Sequence, residues 1–139
     1  MNAVVVCLGL VTAALAELLP TSGGAETIKQ FDGRSGSVVS DGQSEPRPLT
    51  GAELAIVNNW LVRHRIGWRS NFASPPPPTA SISLDTERQR SALVLEFWTG
   101  PNYPGWQQAV AIEVPAGSPT GLQSFNPEEL APLLDIVRR

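Results

Sequence analysis

Two helix-start signatures bracket the ordered part of this chain. Thr50-Gly51-Ala52-Glu53 has the form of a capping box, in which the threonine hydroxyl accepts from the Glu53 amide while the glutamate reaches back to the cap. Leu49 and Leu54 stand where a hydrophobic staple needs them. Phe125-Asn126-Pro127-Glu128-Glu129-Leu130 repeats the logic near the C-terminus, with Asn126 as cap, Pro127 at the first helical position and Phe125 stapled onto Leu130. At helical spacing Leu54, Ile56, Val57, Trp60, Leu61 and His64 fall in one arc of the first helix. Leu130, Leu133, Leu134 and Val137 form the stripe of the second.

Between the helices lie three strand-like runs, Ala80 to Leu84, Ala92 to Trp98 and Gln107 to Val114, joined by short turn-rich segments. An antiparallel meander is the economical connection. Alternation puts Ile82, Leu84, Leu93, Leu95, Phe97, Val110, Ile112 and Val114 toward the helices. The opposite face receives Ser81, Ser83, Val94, Glu96, Trp98, Ala109, Ala111 and Glu113. In the register these runs suggest, Glu96 faces Ala109 and Glu113 faces Ala92. The expected fold is therefore α+β and two-layered: a three-stranded antiparallel meander with two helices packed on one face, in the order α-β-β-β-α.

The rest of the chain reads differently. Ala3 to Ala16 is an apolar run of signal-peptide length, short of the roughly 18 residues of a membrane span, and Ala14-Leu15-Ala16 offers a cleavage pattern. Residues 1–16 are thus expected to be a signal peptide or membrane anchor, although the region before the run carries no charged side chain. A buried helix is the third reading of that run. Residues 17–48, rich in Gly, Ser, Asp and Pro, read as a flexible linker with at most one weak strand. Residues 49–139 form the small α+β domain. Cleavage after Ala16 removes Cys7, the only cysteine, and with it any disulfide or thiolate chemistry. Pro75-Pro76-Pro77-Pro78 forms a short rigid connector of polyproline II type.

A formal charge of -3 without a basic stripe argues against a nucleic-acid partner. No clustered His, Cys or Asp set suggests a metal, and no phosphate loop or dinucleotide fingerprint suggests a cofactor. His64 is the only histidine and lies within the apolar arc, where a structural role competes with that of a general base. Glu96 and Glu113 share the outer face, where paired carboxylates can do acid and base work, but they are not direct neighbours in the register above.

Two features suit binding better. The loop Thr99 to Trp106 is stiffened by Pro101 and Pro104 and carries Tyr103 and Trp106, with Trp98 approaching from the preceding strand. Arg63, Arg65, Trp68 and Arg69 gather where the first helix ends, beside His64 and Phe72, and complement its negative terminus or hold an anion. The chain is read as a non-catalytic, exported bacterial-type protein, periplasmic or secreted, that binds another macromolecule as an inhibitor, immunity-like partner or envelope accessory. Its binding residues are Tyr103, Trp106, Trp98, Glu96, Arg63, Arg65, Trp68 and Arg69, with no cofactor. The alternatives are a small hydrolase or lyase using His64 with Glu53 or Asp135, and a membrane-tethered structural component of the envelope.

Overall fold

A computed structural model of the chain describes residues 25–26, 28, 31–70, 75–117 and 119–139. The apolar N-terminal run, its cleavage pattern, Cys7 and Phe72 lie outside the described residues, and among those described no helix is long and apolar enough to cross a membrane.

The elements in chain order are β1 (Ala25–Glu26), β2 (Ser35–Val39), β3 (Arg47–Pro48), α1 (Gly51–Arg63), β4 (Trp68–Arg69), β5 (Ala80–Asp85), β6 (Leu93–Phe97), β7 (Ala109–Glu113), β8 (Pro119–Ser124) and α2 (Pro127–Val137). Among the described residues the strands form one antiparallel sheet of eight in the order β1-β4-β8-β7-β6-β5-β2-β3. The expectation of a three-stranded meander with two helices on one face is therefore corrected. β5, β6 and β7 are only the middle of a wider sheet, flanked by β2 and β3 on one side and by β8, β4 and β1 on the other. Three of these strands, β1, β2 and β3, come from the stretch 17–48 whose composition suggested a tether.

The extra strands escaped a reading by composition because SGSVV, RP, WR and PTGLQS are poor in strand formers. Their backbone is held by ladders to richer neighbours, and such tertiary pairing overrides weak local preference. β2, for example, pairs along its whole length with β5, from Ser35 opposite Asp85 to Val39 opposite Ser81.

Within β5 and β6 the alternation is strict, with Ala80, Ile82, Leu84, Leu93, Leu95 and Phe97 buried and the intervening residues partly exposed. These inward residues join Val38, Val110, Ile112, Trp68 and Phe125 in one core with Val57, Trp60 and Leu61 of α1 and Leu130, Leu133, Ile136 and Val137 of α2. The buried arc of α1 is narrower than its apolar pattern: Ile56 is exposed, and the buried position one turn before Val57 is held by Glu53. Trp68 fits because Gly121 lies against it on β8, where a β-carbon would come within 2.7 Å of the Trp68 Cβ.

The helices run antiparallel to each other. Trp60, late in α1, donates its indole N–H to the Glu129 carbonyl at the start of α2 at 2.8 Å. At the other end Arg47 grips Glu53 of α1 through two hydrogen bonds of 2.9 and 3.0 Å and donates to the Ile136 carbonyl of α2 at 3.1 Å. Both capping boxes are complete. Glu53 is buried, accepts from the Thr50 amide at 2.9 Å, and has Arg139 at 3.6 Å as a second cation. The Arg47 hydrogen bonds, outweighing the opposing effect of burial, hold its carboxyl at a pKa of about 2. One side chain thus caps α1 and, through Arg47, ties it to β3 and the end of α2.

Candidate functional site

Trp98 is the first residue after β6 on its outer side, and Ala109 and Ala111 are the outward residues of β7 beside it. Together they form a second, smaller core on the face of the sheet away from the helices, onto which Tyr103, Trp106 and Leu122 pack. Trp98 is fully buried and donates its indole N–H to the Pro76 carbonyl at 3.0 Å, so the tetraproline segment is tied to this core. The Trp106 ring lies 4.9 Å from that of Trp98, centroid to centroid, tilted by 50°.

The loop that presents these rings is internally braced. The Trp106 amide donates to the Tyr103 carbonyl and the Ala109 amide to the Trp106 carbonyl, each at 2.9 Å, while Gln107 donates across the loop to the Gly100 carbonyl at 3.1 Å. Tyr103 and Trp106 remain half-buried. Among the described residues Trp106 has no hydrogen-bond partner for its indole N–H, in contrast to Trp60, Trp68 and Trp98, which all donate to backbone carbonyls.

Glu96 borders this aromatic cluster. It faces Ser81 on one side and Ala111 on the other, and Ala111 itself belongs to the outer core. The sequence-based pairing of Glu96 with Ala109 and of Glu113 with Ala92 is off by two residues: Glu113 faces Val94. The turn-rich connection before β7 leaves the register open, and a slip of two residues preserves which face each side chain takes. In the actual register Glu96 and Glu113 are diagonal neighbours, a relation that places α-carbons about 7–8 Å apart. Burial, and secondarily the charge of Glu113, raise the Glu96 carboxyl above its ordinary pKa. Glu113 accepts from the Gly117 amide at 2.6 Å, whereas Glu96 has neither an ion pair nor a hydrogen bond among the described residues.

Arg69 lies on the same outer row, since it pairs with Leu122, which pairs with Ala111, which pairs with Glu96. The outer face therefore brings together Glu96, Trp98, Tyr103, Trp106 and Arg69, two of them contributed by a loop. It does not include Arg63, Arg65 or Trp68. Trp68 is sealed in the main core with its indole N–H donated to the His64 carbonyl at 2.7 Å. Arg65 is partly buried and donates to the Ile28 carbonyl at 2.9 Å, and Arg63 is exposed on α1 with a long contact of 3.4 Å to the Asn59 carbonyl. The cluster of cations and aromatics at the helix end is thereby dispersed: one indole is in the core and one guanidinium secures the backbone of the residue 28 segment.

Comparison of the chain with family models, curated proteins and solved structures returned no match.

His64 ends α1 with its ring against Trp60 at 4.5 Å and Phe125 at 5.1 Å. Burial lowers its pKa, the nearby Glu129 opposes that, and Arg63 reinforces it. Glu53 stands eleven residues earlier on the same helix, about 16 Å away at 1.5 Å per residue, and is saturated by its cap and by Arg47. It cannot orient the imidazole. Asp135 is exposed on α2, and no hydrogen bond among the described residues joins it to His64. The described residues also contain no group of three or more metal-ligating side chains.

An open polar depression of about 540 Å³ was not foreseen from the sequence; it lies at the β5–β6 turn against Ser35 and Ser37 of β2. Asp85 organises that turn, accepting from the Ser91 amide at 2.8 Å and from the Ser35 hydroxyl at 3.0 Å. The lining is polar and includes Glu87, Arg88 and Arg90, and the Asp85 carboxylate is already spent on holding the turn together.

Proposed function

We propose that this chain is a non-catalytic exported protein, periplasmic or secreted, that binds another macromolecule through the outer face of its sheet, with Tyr103 and Trp106 at the centre of the contact. The observation that carries the reading is the state of Trp106: packed at a tilt against a sealed tryptophan, half-exposed and with its N–H unspent. Aromatic rings fixed in this way bury large area on contact while losing little side-chain entropy, and aromatic residues dominate the energetics of many protein interfaces. The braced loop adds preorganisation, which lowers the cost of binding further. Export rests on the apolar leader and its small-residue cleavage pattern.

The test is capture of a partner from a cell-envelope extract by the full chain carrying Tyr103→Ala and Trp106→Ala. The double variant is expected to retain its cooperative melting transition and to lose a partner that the unaltered chain retains. Equal capture by a folded double variant rejects this surface.

A further inference from the structure

The outer face carries a second unspent group, the Glu96 carboxylate, beside its aromatic one. Two like strand positions apart, Glu96 and Trp98 project from the same side of the sheet, separated by about 7 Å along the chain. Ala111 lies opposite Glu96 and belongs to the same outer cluster as Trp98, so the β7 neighbour shared by carboxylate and rings is a small side chain. On this side the outer row runs from Val39, next to Ser81, through Glu96, Ala111 and Leu122 to Arg69 and then Ala25 of β1. The only cation on the row is therefore three strands from Glu96, about 14 Å at the usual spacing between strands. Glu113, the one other carboxylate adjoining Glu96, is committed to the Gly117 amide.

From this geometry we infer that the face is built to receive an arginine side chain of a protein partner, its guanidinium paired with Glu96 and its plane laid against the Trp106 ring. The inference rests on the binding role assigned to this surface above and names its ligand. A half-buried carboxylate without a partner is costly to keep, and a cation removes that cost on arrival. Among cations the guanidinium fits best. Its forked N–H groups match a carboxylate, its flat, weakly hydrated face stacks on an indole, and its charge is attracted by the ring quadrupole. A lysine ammonium supplies the charge without the fork or the plane. The chain's net charge of -3 favours approach of a basic segment over an acidic one.

The test uses two short peptides, acetyl-Gly-Arg-Gly-amide and its citrulline counterpart, which has nearly the same shape and no charge. Each is titrated into the full chain while the indole N–H resonance of Trp106 is followed by nuclear magnetic resonance. The arginine peptide is expected to shift that resonance saturably in the millimolar range, and the citrulline peptide to leave it in place. Glu96→Gln, which keeps the size of the side chain, should weaken the arginine response about tenfold, in keeping with loss of a charge-assisted hydrogen bond. Equal responses to the two peptides, or an unchanged titration in Glu96→Gln, overturn the inference. Should that happen while the Tyr103→Ala, Trp106→Ala double variant still loses its partner, the surface remains a binding face and only the guanidinium assignment falls.

Discussion

On the helix side of the sheet Trp60 and Trp68 are sealed, stand 6.3 Å apart in an edge-on arrangement and give their indole N–H groups to the carbonyls of Glu129 and His64. On the outer side Trp98 is sealed in the same way and bonded to Pro76, but the ring packed against it, Trp106, stays half in solvent with its N–H unspent. Both faces use the same device, a large aromatic ring anchored by one hydrogen bond to backbone. They differ in what closes over it. Two amphipathic helices complete the first core, while a braced loop and a proline segment close only part of the second. On the proposed reading, the face that is organised and left partly open is the one that meets a partner.

The sharpest way to break that comparison is to remove one ring from each face. Trp60→Ala deletes a core side chain that also links the two helices, and is expected to cost about 3–5 kcal/mol of unfolding free energy. Trp106→Ala removes a half-exposed ring and one tilted aromatic contact, with an expected cost of about 1 kcal/mol. Denaturant melts of the two variants measure the difference. Equal losses would mean that the outer cluster is as much a structural core as the inner one and that Trp106 is held for stability.

Much of this division was legible in the sequence, and the part that was legible is local. The two capping boxes form because cap and glutamate lie within one helical turn, and the faces of β5, β6 and β7 follow from a period of two that no distant contact alters. The remainder depends on partners remote in the chain. Ser35-Gly36-Ser37 carries no strand signal of its own and becomes a strand because β5 offers it a ladder. Val38-Val39 was the hint, an apolar pair whose first member is fully buried under the helices. Glu53 was read correctly as a capping residue, yet its burial needs Arg47, which sits in the stretch that looked like a tether. Of the residues proposed for binding, Glu96, Trp98, Tyr103, Trp106 and Arg69 converge because alternation and one loop decide their side. Arg63, Arg65 and Trp68 do not converge, because adjacency after a helix end says little about direction.

Glu53 supplies the next test, on the closed side. Its carboxyl titrates near 2 in the folded chain and near 4.5 when unperturbed, so the folded state binds its proton less readily than the unfolded state does. The stabilisation is therefore complete above about pH 4.5 and is lost as the pH falls from there through about 2. At 1.36 kcal/mol per unit the full amount is about 3 kcal/mol. Glu53→Gln should lower stability at pH 7 and flatten the dependence between those limits. A variant whose stability declines with acid as steeply as the parent would show that other carboxylates carry the acid response and that the Arg47 clamp contributes little.

Glu96 provides the smallest effect and the opposite sign, which is what makes it discriminating. Burial beside Ala111 and the charge of Glu113 raise its pKa in the folded chain, so the folded state holds this proton more tightly than the unfolded state. Its contribution to stability is then unfavourable at neutral pH and is relieved as the pH falls through its raised value toward the ordinary carboxylate range. Glu96→Gln should accordingly stabilise the isolated chain slightly at pH 7 and change nothing once both states are protonated. The same substitution weakens the arginine peptide in the titration described above. A residue that costs stability alone and gains affinity with a cation present is placed for binding. If the glutamine variant is instead less stable at pH 7, Glu96 is a structural carboxylate, and the open face loses the charged half of its recognition pair.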